Sequence, residues 1–196
     1  MADNHIKLSI LICSVDNEDR QSNLKKILHE LNVQISKNYA ENMIEVLVEK
    51  DNGEMSVGQK RNLLIKKSKG EYICFIDDDD FISFDYLEKI LENLKGDILT
   101  IRIKHIVNGI ESKSIQPSLY IDNLETNDVI FKTNHFHLCP HLREKAIEVM
   151  FREINFAEDM EYSQKLVKYI QNYEQITDEL YIYNDNLNKS LTRNVF

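Results

Sequence analysis

The stretch "GEYICFIDDDDFISFDYLEKI", residues 70–90, sets a short apolar run directly against four consecutive carboxylates, Asp77, Asp78, Asp79 and Asp80. Two like charges about 4 Å apart repel by roughly 1 kcal/mol in water, and by several times that where protein displaces solvent. A chain that gathers four of them behind a buried strand needs something there to offset the repulsion. The run "EYICFI" reads as that strand, and Ser83 is the expected cap of a helix whose apolar side carries Phe84, Leu87, Ile90, Leu91 and Leu94 before it stops near Gly96.

Upstream, the same alternation appears twice more. "HIKLSILICSVDNEDRQSNLKKILHEL" predicts a buried strand at about 6–13, a polar loop, and a helix with Leu24, Ile27, Leu28 and Leu31 on one face. "MIEVLVEKDNGE" is a second strand ending in the turn signature Asp51-Asn52-Gly53, with Asp51 read as a solvent-facing strand-end carboxylate. In "SVGQKRNLLIKKSKG", Ser56 and Gln59 have capping-box spacing and Gly70 is a C-terminal stop. Strands alternating with helices imply an α/β fold with a mostly parallel, Rossmann-like central sheet covered on both faces.

Beyond Gly96 the pattern changes. "DILTIRIKHIVNGIESKSI" places two β-prone runs around Asn108-Gly109, a strong hairpin signal. A helix from about Pro140, another over about 156–170 and a last strand near "ELYIYN" complete an α+β C-terminal half. The 196 residues, 42% of them apolar, suit one domain, 1–196, with halves 1–96 and 97–196. A net charge of −9 argues against a surface built to neutralise many phosphates. Cys13, Cys74 and Cys139 are odd in number and widely spaced, which reads as reduced core thiols in a cytoplasmic protein. "LSILIC" is too short to span a membrane or to form a signal core.

Ligands of parallel sheets sit beyond the carboxyl ends of the strands, where the four aspartates fall. If 77–79 stays extended, Asp77 and Asp79 share a face and form a hard-oxygen pair suited to Mg²⁺ or Mn²⁺. The alternative is a solvated acidic turn at a helix start. An EF-hand is excluded, since Phe81 and Ile82 fall where a ligand and the turn glycine would be required. In "NFAEDMEY", Asn155 as N-cap would put Glu158 at the third helical position, completing a capping box and leaving Asp159 free. Lys60 and Arg61 read either as a solvated helix face or as cations toward a phosphate. In "NHFHLCPHLRE", a strand reaching Cys139 would put His135, His137 and Cys139 on one face, a zinc set without a fourth ligand.

Taken together, "LSILICSVDNEDR", "VLVEKDNGE", "GQKRNLLIKKSKGEYICFIDDDD" and "FAEDMEY" resemble, in order and spacing, the family 2 glycosyltransferases, inverting enzymes of the GT-A fold. The resemblance implies a first half that binds a nucleotide-sugar and a second half on the acceptor side. It implies donor contacts from Ser14 and Val15, although Val15 stands where many members carry an aromatic residue. It further implies Asp51 on the base, Arg61 of the "RN" position and Asp78 in the donor site, Asp77 on ribose or metal, Asp79 on the cation, His137 of "HLCP" on metal or phosphate, and Asp159 as catalytic base paired with Glu158. The implied activity is metal-dependent transfer from a nucleotide-diphosphate sugar, a uridine one foremost, with Mn²⁺ or Mg²⁺. Glycan, protein, small-molecule and modified nucleic-acid-base acceptors all stay open. The rival readings are a sugar nucleotidyltransferase, which would want a glycine-rich loop where "CSVDNEDR" has no glycine, and a catalytically silent nucleotide-sugar-binding protein.

Overall fold

The computed structural model describes residues 5–38 and 40–185. In chain order, β1 (Leu8–Val15), α1 (Glu18–Lys37), β2 (Ile44–Asp51), α2 (Val57–Lys67) and β3 (Tyr72–Phe75) form the alternating first part, followed by β4 (Phe81–Ile82) and α3 (Tyr86–Asn93). The second part contains β5 (Ile98–Val107), β6 (Ile110–Glu111), β7 (Ser114–Pro117), β8 (Leu124–Glu125), β9 (Val129–Lys132), β10 (His141–Leu142), α4 (Arg143–Val149), α5 (Glu158–Leu166) and β11 (Tyr173–Asp185). The strands of the described residues join in one sheet whose main path runs β2-β1-β3-β10-β5-β7-β9-β8, with β11 along β5 and β4.

β1 lies parallel to both β2 and β3, with Leu8 opposite Ile44 and Tyr72, so Val15 ends beside Asp51 and Leu11 sits opposite Phe75. Three strands therefore release their loops at the same edge, which is what sets the acidic run beside the β1 loop. β10 is an antiparallel insertion between β3 and β5. The parallel pairing resumes with β11 on β5, over ten partnered positions with two register shifts. Asn108 and Gly109 turn the chain at positive φ, joining β5 to antiparallel β6 as the hairpin signal predicts.

β1 is buried on both faces because helices cover them, which is why its residues are almost continuously apolar. Of its two serines, Ser9 is fully buried and spends its hydroxyl on Glu45 (2.6 Å) while accepting from the Gly70 amide (2.8 Å). α1 buries Leu24, Ile27 and Leu31 as its periodicity predicts, together with Gln34. That glutamine donates to Ser83 O (2.7 Å) and accepts from Leu87 N (3.0 Å), tying α1 to the start of α3.

Three local expectations change. Ser83 does not cap α3: its hydroxyl bonds Asp85, the helix begins at Tyr86, and Gln34 serves the amide at its start. Phe84 consequently falls outside the apolar stripe and is 76% exposed. Asn155 does not cap α5 either. Its Oδ1 accepts from Val57 N (2.9 Å) at the start of α2, while Ala157, left-handed at φ 60°, precedes α5 and puts Glu158 at the first helical position. The segment after Phe136 is a short 3-10 turn, so His135, His137 and Cys139 do not share a strand face.

α2 starts with the expected capping box of Ser56 and Gln59 and runs close against residues 151–155. Asn62 exchanges two hydrogen bonds with the Phe151 backbone, of 2.9 and 2.8 Å, and Gly58 N donates to Ile154 O at 3.2 Å. A Cβ on Gly58 would lie 2.0 Å from the Arg152 carbonyl oxygen, so backbone has to move to admit one. Gly58→Ala is accordingly expected to lower unfolding free energy by about 1–3 kcal/mol in urea titrations, despite alanine's better helix propensity.

Candidate active site

A cleft of about 450 Å³ opens beyond the carboxyl ends of β1 and β3, between the acidic turn, the start of α5 and the end of β11. Its wall includes Ser14, Val15, Arg20, Arg61, Asp77, Asp79, Glu158 and Asp159. The acidic run is not extended: Asp80 N donates to Asp77 O (3.2 Å), closing a turn. Asp77 and Asp79 are the more open members, with side chains 31% and 41% exposed, whereas Asp78 and Asp80 are buried.

The buried pair is anchored inward. Ser14 Oγ donates to Asp78 at 2.5 Å and Arg20, from the first turn of α1, bonds the other Asp78 oxygen. The same guanidinium lies 2.9 Å from Asp79. Burial still pushes the carboxyl of Asp79 up to about 6, since the neighbouring charges of Asp77 and Asp78 offset part of the help from Arg20. Asp80 is held well above the carboxylate range by burial and by the charges of Asp77 and Asp79, and it accepts from Tyr181 Oη (2.7 Å) and Asn184 N (2.8 Å).

Opposite the turn, Glu158 and Asp159 begin α5. Arg61 joins the two sides: its guanidinium donates to Glu158 at 2.9 Å and to Asp77 at 3.2 Å. It lies 5.1 and 5.5 Å from the ring centres of Phe151 and Phe75, within range of a cation–π attraction. Burial works against the charge of Arg61, yet Asp77 and Glu158 more than offset it and raise its pKa. For Asp159, burial opposes the charge, while His137, Arg61 and the Met160 amide hold the carboxyl below its usual range. The His137 part requires a protonated ring. Burial and the adjacent Arg61 charge push that ring down to about 3, so at neutral pH Arg61 and the amide act on Asp159.

Two expected site residues sit elsewhere. His137 is 2% exposed and is not part of the cleft wall. Asp51 is not solvent-facing: its side chain is 8% exposed, with Oδ1 at 2.7 Å from Lys60 Nζ and Oδ2 accepting from Met55 N (2.6 Å). Burial opposes its ionisation, but these donors win and its pKa falls. Lys60 is itself buried, with a second bond to Ser14 O (2.9 Å). The solvated-face reading of Lys60 and Arg61 is therefore overturned, because α2 turns both inward onto β1 and β3.

The acidic turn fits a hard divalent cation in kind, offering oxygen ligands, with the pKa of Asp79 lifted by burial first and by the neighbouring carboxylates second. Among the described residues no cluster of three His, Cys, Asp or Glu forms a protein cage. Such an ion would take one or two carboxylates here and the rest of its ligands from substrate and water.

A mostly parallel α/β sheet with an acidic turn beyond its third strand defines a GT-A-type glycosyltransferase fold. The family model of glycosyl transferase family 2 matches residues 10–143, and the chain belongs to that family. It is similar to the uncharacterized glycosyltransferase EpsJ of Bacillus subtilis, 26% identical over 81% of this chain and 50% of EpsJ. It is also similar to the poly(ribitol-phosphate) beta-N-acetylglucosaminyltransferase TarS of Staphylococcus aureus, 22% identical over 64% of this chain and 23% of TarS. The chain thus spans half or less of these curated relatives. In structure, TarS 1–349 in complex with UDP-GlcNAc matches 92% of this chain and 59% of its own, with a TM-score of 0.64 at 18% identity. The catalytic domain of Drosophila beta1,4galactosyltransferase 7 matches 95% and 74%, with a TM-score of 0.62 at 11% identity. No helix of the described residues is long and apolar enough to cross a membrane.

Sequence reasoning missed Arg20 and Tyr181, which approach the acidic turn from 58 and 101 residues away. The surplus of carboxylates was the available signal, since it demands donors from somewhere. Burial of the Asp51–Lys60 pair has a measurable consequence. Asp51→Ala leaves an ammonium buried without its carboxylate and is expected to cost about 3 kcal/mol in denaturant unfolding, with Asp51→Ala/Lys60→Met recovering most of the loss.

Proposed function

We propose that this chain transfers a sugar from a nucleotide-diphosphate sugar, a uridine one, to an acceptor hydroxyl with inversion, aided by Mn²⁺ or Mg²⁺. The observation that carries the reading is the meeting in one cleft of the acidic turn and the Glu158–Asp159 pair, tied through Arg61. The uridine nucleotide is supported by the UDP and UDP-GlcNAc complexes of TarS.

In this reading residues 1–96 serve the donor and 97–196 the acceptor. Ser14, Val15 and Asp78 shape the nucleoside end. Asp51 acts from below by pinning Lys60 and the 51–55 turn, and Asp77 and Asp79 would hold the cation. The cation supplies charge for the departing diphosphate. Arg61 orders Glu158 and Asp77 about the leaving group, and its fixed charge needs no rearrangement as negative charge develops. Asp159, near the amide-rich start of α5 and ionised at neutral pH, takes the proton of the acceptor hydroxyl as it attacks the anomeric carbon opposite the diphosphate. Phe156 and Met160, 54% and 46% exposed on the cleft wall, offer an apolar face beside that base.

The primary test is donor hydrolysis across a panel of nucleotide sugars with Mn²⁺ and with Mg²⁺, water standing in for the acceptor. Turnover confined to uridine donors and abolished by chelator is the expected result; donor binding without turnover under every condition would instead indicate a silent binder. Asp159→Asn keeps the size of the side chain but removes the proton acceptor, so turnover should fall by roughly 10²-fold or more while UDP affinity holds within about twofold. Near-normal turnover in that variant would remove Asp159 from the mechanism.

A further inference from the structure

The proposed function uses the acidic turn but leaves unexplained what fixes its shape. The last strand supplies it. Tyr181 of β11 is fully buried, and its hydroxyl stands between the two ends of the turn, accepting from Asp77 N at 3.0 Å and donating to Asp80 Oδ2 at 2.7 Å. Three residues on, Asn184 N donates to the other Asp80 oxygen at 2.8 Å. The backbone agrees, since Tyr181 and Ile182 pair antiparallel with Ile82 and Phe81, immediately after the turn.

We infer that Tyr181 is a positioning residue for the cation site: the relay from the Asp77 amide through the phenol to the Asp80 carboxylate sets the curvature that turns the Asp77 and Asp79 side chains into the cleft. The inference rests on the proposed role of these two carboxylates as cation ligands. Tyr181 touches neither of their side-chain oxygens, so it acts through backbone placement. A phenol suits the task because one hydroxyl both accepts and donates. Asp80 suits it because its two oxygens take the two donors of β11 separately, Oδ2 from the Tyr181 hydroxyl and Oδ1 from the Asn184 amide.

The relay has a direction, which separates it from ordinary packing. Tyr181→Phe keeps the ring and removes the hydroxyl. Asp80→Asn keeps an oxygen for Asn184 but turns an amide N–H toward the phenol, so the phenolic proton loses its acceptor while the ring stays buried. Both variants should loosen the turn without disturbing β1 or the nucleoside end of the cleft.

The test is calorimetric titration of UDP into wild type, Tyr181→Phe and Asp80→Asn, each with Mn²⁺ and with chelator, alongside thermal unfolding. Wild type is expected to bind more tightly with Mn²⁺. In each variant that Mn²⁺-dependent increment should fall by roughly tenfold while affinity in chelator stays within about twofold. A Tyr181→Phe protein with an undiminished increment would overturn the inference. So would equal losses with and without Mn²⁺, which would mark Tyr181 as merely structural. Should Tyr181→Phe fail to fold, Asp80→Asn carries the same two outcomes. Absence of any Mn²⁺ increment in wild type would instead refute the cation reading itself, and is distinguished by appearing before any substitution is made.

Discussion

A single buried guanidinium determines whether this site can exist. Arg61 lies between the acidic turn after β3 and the acidic start of α5, bonded to Asp77 on one side and Glu158 on the other. Removing Arg61 would leave Glu158 buried without its partner, a loss of the order of 3–5 kcal/mol in comparable buried pairs. The rings of Phe75 and Phe151 restrict where the guanidinium can go, and Tyr162 stacks on Phe151 with centroids 3.9 Å apart. Tyr162 in turn is held by His141 at 2.7 Å, whose other nitrogen meets Cys139 O at 2.7 Å. The placement of one cation thus engages side chains from α2, β3, β10 and α5, and the halves of the chain are joined electrostatically as well as by the sheet.

The same logic sorts the four aspartates. Asp78 and Asp80 are neutralised or bonded from within, by Ser14, Arg20, Tyr181 and Asn184. Asp77 and Asp79 keep their side chains toward the cleft, with only part of their charge answered by Arg61 and Arg20. Four carboxylates in sequence are tolerable because the turn divides them into two anchors and two open oxygens, and a divalent cation would answer what remains.

Most of the framework was legible in the sequence because it follows from local pattern. Continuous apolar runs gave β1 and β3, helical periodicity gave α1, the Ser56–Gln59 spacing gave the capping box of α2, and Asn108-Gly109 gave the hairpin. What was not legible is set by distant partners. Ser83 has the right spacing to cap α3, but Gln34, 49 residues away, accepts from the Leu87 amide instead and donates to the Ser83 carbonyl. Asn155 and Glu158 fit a capping box, but α2 claims Asn155 and Arg61 claims Glu158. Lys60 resembles any lysine on a helix surface until α2 is laid on β1, whereupon its ammonium reaches Asp51 and Ser14 O. The acids of the site could be read from the chain. The pairing of those acids with their cations could not, because nothing in a one-dimensional pattern tells a cation, Arg61 included, which carboxylate it will meet.

That asymmetry has a physical basis. A carboxylate at the end of a buried strand announces itself by violating the local hydrophobic pattern, whereas its partner arrives from an amphipathic helix where a charge violates nothing. Arg20 and Lys60 both come from such helices, and both reach inward by long side chains whose stems can lie along apolar surface. Preorganised charge is costly to assemble and useful only when assembled, since fixed donors stabilise developing charge without having to reorient. In this fold the cost is met by the architecture: β1, β2 and β3 bring their loops to one edge, α1 and α2 carry the cations to it, and β11, last in chain order, lies along β5 and fastens the acidic turn. The cleft is thus organised by the contacts that complete the fold, and a cation or nucleotide entering it meets groups already held in place.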